Sequence, residues 1–161
     1  MSMGTAELSE IAAVKNVQIA VAESLTAGLL AGAIGSGAGA SEWFRGGVVA
    51  YQTAVKNEVL GVDGNLDPCS PEVARQLAAG VRDLLRADLA ISTTGVGGPE
   101  DDDGHPPGEV YLGWATADAV GHRRLELKGE PHEILAATVD AALELLTSLA
   151  REAGDRARQG V

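Results

Sequence analysis

The chain opens with Leu8, Ile11, Ala12 and Val14 spaced toward one face, which predicts a helix over 5–15. "VQIAVA" (17–22) is apolar on both parities, the mark of a short strand buried on both faces. A small-residue helix opened by Thr26 follows over 26–37, and "SGAGAS" (36–41) reads as a flexible connection. "WFRGGVVAY" (43–51) predicts a second strand, and "TAVKNEVLGV" a short helix with Thr53 as its N-cap. After the loop "DGNLDPC", Ser70 and Pro71 form a cap and first-turn pair for a longer helix, with Val73, Leu77, Val81 and Leu84–Leu85 inward. "ADLAISTTG" (87–95) is a third strand, apolar until it ends in Thr-Thr-Gly. "VGGPEDDDGHPPG" is a turn-rich loop. "EVYLGWATA" (109–117) and "HRRLELKG" (122–129) form a hairpin across Asp118–Gly121. A last helix over 132–151 carries Ile134, Leu135, Val139, Leu143, Leu146 and Leu149 on one side, and 152–161 is expected to fray.

Helices alternating with strands, most of them parallel and two joined as a hairpin, predict an α/β fold. The expected architecture is a three-layer α/β/α sandwich on a mixed, mostly parallel sheet. One domain is expected over 1–161, with a core of about 8–150. In such sheets ligands gather at the carboxyl ends of the strands. Glu23-Ser24, Tyr51-Gln52-Thr53 and the loop after Thr94 all leave such ends, so candidate chemistry converges on one edge.

Composition narrows the function. Of 161 residues, 45% are hydrophobic but only 3% aromatic, so Ala, Val, Leu and Ile must build the core. A net charge of −11 argues against a nucleic-acid partner, which needs a basic face. The single cysteine, Cys69, rules out an intrachain disulfide and fits a reducing, cytoplasmic setting. No CxxC or His/Cys spacing points to a metal, and His105, His122 and His132 read as surface residues. "MSMGTAELSE" lacks the regions of a signal peptide. The apolar stretch 27–40 is mostly Ala and Gly, short of the roughly 20 strongly apolar residues a membrane span needs.

Ser24 is the first candidate for chemistry. A hydroxyl where a strand turns into a helix lies near free backbone N–H groups, which suit an oxyanion; plain helix capping is the alternative. A serine nucleophile needs a base. Lys56 can serve if burial, or a neighbouring cation such as Arg45, lowers its pKa, with Tyr51 relaying the proton. The alternatives are a solvated lysine and a tyrosine at a strand end. Gly95–Gly98 is a loop able to present N–H groups to an anion, or a plain connection; GxxxxGK[ST] is absent. Asp101-Asp102-Asp103 lacks the spacing of a calcium loop and reads as a solvated acidic turn.

Four segments together resemble the C-terminal domain of the CinA family, the nicotinamide-mononucleotide amidohydrolases. They are "AESLTAGLLA", "FRGGVVAYQTAVKNEVLGV", "SPEVARQLAAGVRDLLRADLAISTTGVGGP" and "PPGEVYLGWA", and the resemblance covers about residues 8–150. It implies the three-layer sandwich. It also implies hydrolysis of the nicotinamide mononucleotide carboxamide by a serine helped by a tyrosine and a lysine, falling here on Ser24, Tyr51 and Lys56. No metal or organic cofactor is implied, and the only expected partner is a small pyridine-nucleotide substrate. The residues expected around that substrate are Glu23, Thr26, Arg45, Gly46, Gly47, Thr94, Gly95, Gly97 and Gly98. The chain departs from the family pattern at Leu25 and Ala27, and His105 stands at a lysine position. Pro131 and Leu135 stand where arginines are expected, and Arg45, Arg123 and Arg124 are the remaining basic candidates. These departures keep two alternatives open: a serine amidohydrolase for an amide without phosphate, and a non-catalytic binding module. Homo-oligomerisation also stays open, since helix 26–37 could pack internally or across subunits.

Overall fold

A computed structural model describes the backbone of residues 3–159 and the side chains of residues 4–153. Five strands form one sheet: β1 (Ile19–Glu23), β2 (Phe44–Val49), β3 (Leu89–Gly95), β4 (Glu109–Ala115) and β5 (Val120–Glu126). Their order is β2-β1-β3-β4-β5. β1 pairs in parallel with β2 and β3, whereas the β3–β4 and β4–β5 pairings are antiparallel. β4 therefore runs against the other four.

The sheet's two faces carry different side chains because strand residues alternate. Ile19 and Val21 of β1 join Leu8, Leu30, Ile34, Ile134, Leu143 and Leu146 in one buried cluster. These come from α1 (Met3–Lys15), α2 (Leu29–Gly35) and α6 (Pro131–Gln159). Ala20 and Ala22 face the other way and pack with Val73, Leu77 and Val81 of α5 (Pro71–Leu85). Small residues on this side let α5 lie close to the sheet. A Cβ at Gly113 would overlap the Ala74 carbonyl. Ser92 ties the same point, donating to the Ala74 carbonyl (2.6 Å) and accepting from Gly113 N (3.1 Å). α5 starts as its sequence predicts, with Ser70 accepting from Val73 N and Pro71 in the first turn.

Several boundaries depart from the pattern-based expectation. The helix expected over 26–37 is confined to Leu29–Gly35, because Ala27 (φ 46°) and Gly28 (φ 103°) hold a left-handed turn before it. The expected flexible connection contains a further short helix, α3 (Ala40–Trp43). Burial orders it: Trp43 is inside the core and its Nε1 donates to the Ala38 carbonyl. The hairpin closes over Thr116–Ala119, earlier than expected, where the Thr116 hydroxyl accepts from Asp118 N and Ala119 N. α6 is helical to Gln159, beyond the fray expected from 152. No helix among the described residues is long and apolar enough to cross a membrane.

Candidate active site

The loops at the carboxyl edge of the parallel strands enclose a cleft of about 640 Å³. Ser24 lies on its wall, one residue beyond β1. Its backbone is fixed on both sides: Ser24 N donates to the Thr93 carbonyl (3.0 Å), and Ala27 N donates to the Ser24 carbonyl (3.1 Å). Its Oγ has no hydrogen-bond partner among the described residues, although the residue is only 8% exposed. A hydroxyl so placed is held without being occupied.

The turn carrying Ser24 is built around Glu23. Its fully buried carboxylate accepts from Leu30 N (2.8 Å), Ala31 N (3.0 Å) and the Thr26 hydroxyl (2.6 Å). Thr26 also bonds Thr93 Oγ1 at 2.8 Å. Glu23 thus takes up two first-turn N–H groups of α2, whose N-cap is Gly28, consuming donors that a helix-terminal oxyanion site would need. The free donors lie elsewhere. Leu25 and Gly97 both line the cleft, and their backbone N–H groups have no partner among the described residues.

Lys56 comes from α4 (Thr53–Leu60), whose N-cap is Gln52 rather than the expected Thr53. It is 4% exposed, yet it lines the cleft, and among the described residues its Nζ donates one long hydrogen bond (3.4 Å), to the Tyr51 carbonyl. Burial lowers its pKa from the usual lysine range, partly opposed by the Asp102 carboxylate. Arg45 has no part in this. It sits at the start of β2, at the opposite edge of the sheet, and donates to the Leu85 carbonyl. The expected tyrosine relay is not formed either. Tyr51 borders the cleft but is 65% exposed, and it reaches Lys56 through its backbone carbonyl, not its hydroxyl.

Of the residues expected around substrate, Thr94, Gly95, Gly97 and Gly98 line the cleft. Gly95 (φ 145°) is required because a Cβ there would overlap the Glu109 carbonyl. The Thr94 hydroxyl is taken up by the Pro68 carbonyl (2.7 Å). Glu23, Thr26, Arg45, Gly46 and Gly47 do not line it. The two glycines serve the sheet: Gly46 (φ 133°) sits at the β1–β2 irregularity, and a Cβ on Gly47 would lie 2.6 Å from Val21 Cγ2.

Sequence reasoning missed the opposite wall. His105 is not a surface residue in isolation: its Nε2 lies 2.6 Å from Asp67 Oδ2 and its Nδ1 2.7 Å from Glu109 Oε2. Glu109 also accepts from the Tyr111 hydroxyl (3.1 Å) and the Cys69 thiol (3.5 Å). The hydrogen bond to Asp67 raises the His105 pKa and lowers that of Asp67. Burial pushes Glu109 upward, but bonds from Tyr111 and Cys69 and the nearby histidine outweigh it and leave it lowered. Burial first, then Glu109, push the Cys69 thiol up to about 12. Topology could have found these residues. α5 precedes a parallel strand, so the segment before it, Asp67–Cys69, lies at the carboxyl edge. Glu109 opens a strand antiparallel to β3 and starts at that same edge.

The cleft is short of positive charge. Among the described residues, Lys56 is the only lysine or arginine lining it, against Asp67, Glu100, Asp102 and Asp103. Pro131 and Leu135, at the expected arginine positions, form part of its wall.

The family model described as "CinA C-terminal domain" matches residues 3–150. A "CinA-like protein" of Frankia casuarinae is 41% identical over 136 residues, covering 82% of this chain and 31% of that protein. A "putative competence-damage inducible protein" of Geobacillus kaustophilus is 46% identical over 115 residues, 65% of this chain and 27% of that protein. The chain therefore spans about a third or less of these relatives' length. Among solved structures, a CinA superfamily protein of Klebsiella pneumoniae superposes with a TM-score of 0.88 at 26% identity, covering 92% of this chain and 96% of that one. A competence/damage inducible protein of Agrobacterium tumefaciens gives 0.81 at 31% identity, covering 92% and 99%.

Proposed function

This chain belongs to the CinA C-terminal domain family, and from that premise we propose that it hydrolyses a carboxamide through an acyl-enzyme on Ser24, with nicotinamide mononucleotide as substrate. The observation that carries this reading is the pairing, in one cleft, of an unoccupied serine hydroxyl with a buried lysine of lowered pKa. Neutral Lys56 takes the Ser24 proton through a bridging water, since no direct hydrogen bond joins the two groups. Oγ attacks the carboxamide carbon. The N–H groups of Leu25 and Gly97 receive the developing oxyanion. The proton returns to the leaving nitrogen, ammonia departs, and water delivered along the same path hydrolyses the ester. Ammonia release from nicotinamide mononucleotide is expected to fall about a thousandfold or more in Ser24→Ala. Equal rates in the two proteins would remove Ser24 from the chemistry.

A second reading keeps the serine chemistry and changes the substrate to an amide without phosphate. Four lining carboxylates, and Pro131 and Leu135 in place of arginines, favour it. Rates on nicotinamide mononucleotide and its riboside separate the two. Preference for the mononucleotide sustains the first reading, and preference for the riboside sustains the second.

A further inference from the structure

We propose that Cys69, His105 and Glu109 form a site for a divalent transition-metal ion of the zinc class on the wall of this cleft. Three chain segments each supply one donor: the loop before α5, the loop between β3 and β4, and the first residue of β4. The Cys69 sulfur, a ring nitrogen of His105 and a Glu109 carboxylate oxygen all lie within 4.8 Å of one another.

Tetrahedral zinc has bonds of about 2.3 Å to sulfur and about 2.0 Å to nitrogen or oxygen, so neighbouring donors stand about 3.3–3.5 Å apart. Cys69 Sγ and Glu109 Oε2 are already 3.5 Å apart. His105 Nδ1 and Glu109 Oε2 stand at 2.7 Å, a proton-sharing distance, and must open by about 0.6 Å to admit the ion. The ion takes the place of protons: binding releases the Cys69 thiol proton and any proton on His105 Nδ1 to solvent.

The surrounding groups also suit a metal. Asp67 Oδ2 holds His105 Nε2 at 2.6 Å, which leaves Nδ1 facing Glu109 in the carboxylate–histidine arrangement that orients metal-bound imidazoles. Asp67 is itself fixed, accepting from Cys69 N at 2.9 Å. The Tyr111 hydroxyl steadies Glu109. A thiolate, an imidazole and a single carboxylate favour zinc over magnesium or calcium, which prefer all-oxygen shells. With three protein donors, the fourth position opens onto the cleft that Cys69 and His105 line.

The test uses the full chain stripped with a chelator, then titrated with Zn²⁺ against a chromophoric competitor and with Co²⁺ by absorption. One ion per chain is expected, together with a thiolate-to-cobalt charge-transfer band that Cys69→Ser lacks. Asp67→Asn is expected to weaken Zn²⁺ binding by about 10–100-fold. Ser24→Ala is expected to bind as the wild type does, so this result is independent of the serine chemistry. Failure of the wild type to bind stoichiometric Zn²⁺ at micromolar concentration overturns the site. So does a cobalt spectrum without the thiolate band, and that measurement needs no variant to fold.

Discussion

Lys56 shows how burial alone can lower the pKa of a residue type that usually lies in solvent. Its folded-state pKa lies below the unfolded value of about 10.4 because its ammonium is poorly solvated. Below the folded pKa both states are charged, and the folded state bears the whole cost of burying the cation. Between the folded and unfolded values the unfolded chain binds more protons, so stability rises with pH through that window. Lys56→Met fills the same space without the charge. At neutral pH it is expected to raise the melting temperature by about 2–4 °C, equivalent to about 1 kcal/mol, while reducing turnover at least about a hundredfold. The stability gain should shrink as pH climbs toward about 10. Melting curves across pH check this, and a gain that grows with pH contradicts it. The same lysine shows what sequence spacing hides. Tyr51 and Lys56 can be nominated from their positions, but which atom of Tyr51 meets Lys56 depends on how α4 leaves the sheet. Here it is the carbonyl.

At the scale of the element, the β1–α2 connection joins the site to the fold. The residue before Ser24 holds the next helix: Glu23 receives two N–H groups of α2 and the Thr26 hydroxyl. Glu23→Ala leaves those buried donors without a partner and is expected to cost about 3 kcal/mol. Glu23→Gln keeps one acceptor oxygen and should cost less. Denaturant unfolding of both variants tests this, and equal stability of Ala and wild type would refute it. Most elements were legible because their patterns are local: the Ser70–Pro71 start of α5, the apolar run of β3, the two strand-like segments that flank the hairpin turn. The start of α2 was not. Apolar small residues from Thr26 onward look helical, and the helix waits until Leu29 because Ala27 and Gly28 turn left-handed while the Glu23 carboxylate, seven residues ahead of Leu30, takes the first-turn N–H groups. α3 was hidden for a related reason, since its ordering depends on Trp43 at its end packing among core residues remote in sequence.

For the whole molecule, charge and topology act together. The carboxyl edge gathers Ser24, Lys56 and the Gly95–Pro99 loop, as the strand order requires, and the same topology brings Asp67, Glu100, Asp102 and Asp103 around them. A phosphorylated substrate therefore approaches against the local field and a net charge of −11. Raising ionic strength from about 0.01 M to about 0.15 M shortens the screening length from about 30 Å to about 8 Å. The KM for a phosphorylated amide is expected to fall several-fold over that range, while that for a neutral amide stays flat. A KM that rises with salt would instead indicate a cationic phosphate seat.

The loop between β3 and β4 is clamped at its base. Val96 N donates to the Glu109 carbonyl (3.0 Å) and Gly108 N to the Val96 carbonyl (2.8 Å). The register of the sheet is therefore settled before the loop begins and after it ends. Substitutions within residues 97–107 are therefore expected to leave the β3–β4 alignment intact, because the bonds that set it lie outside that stretch.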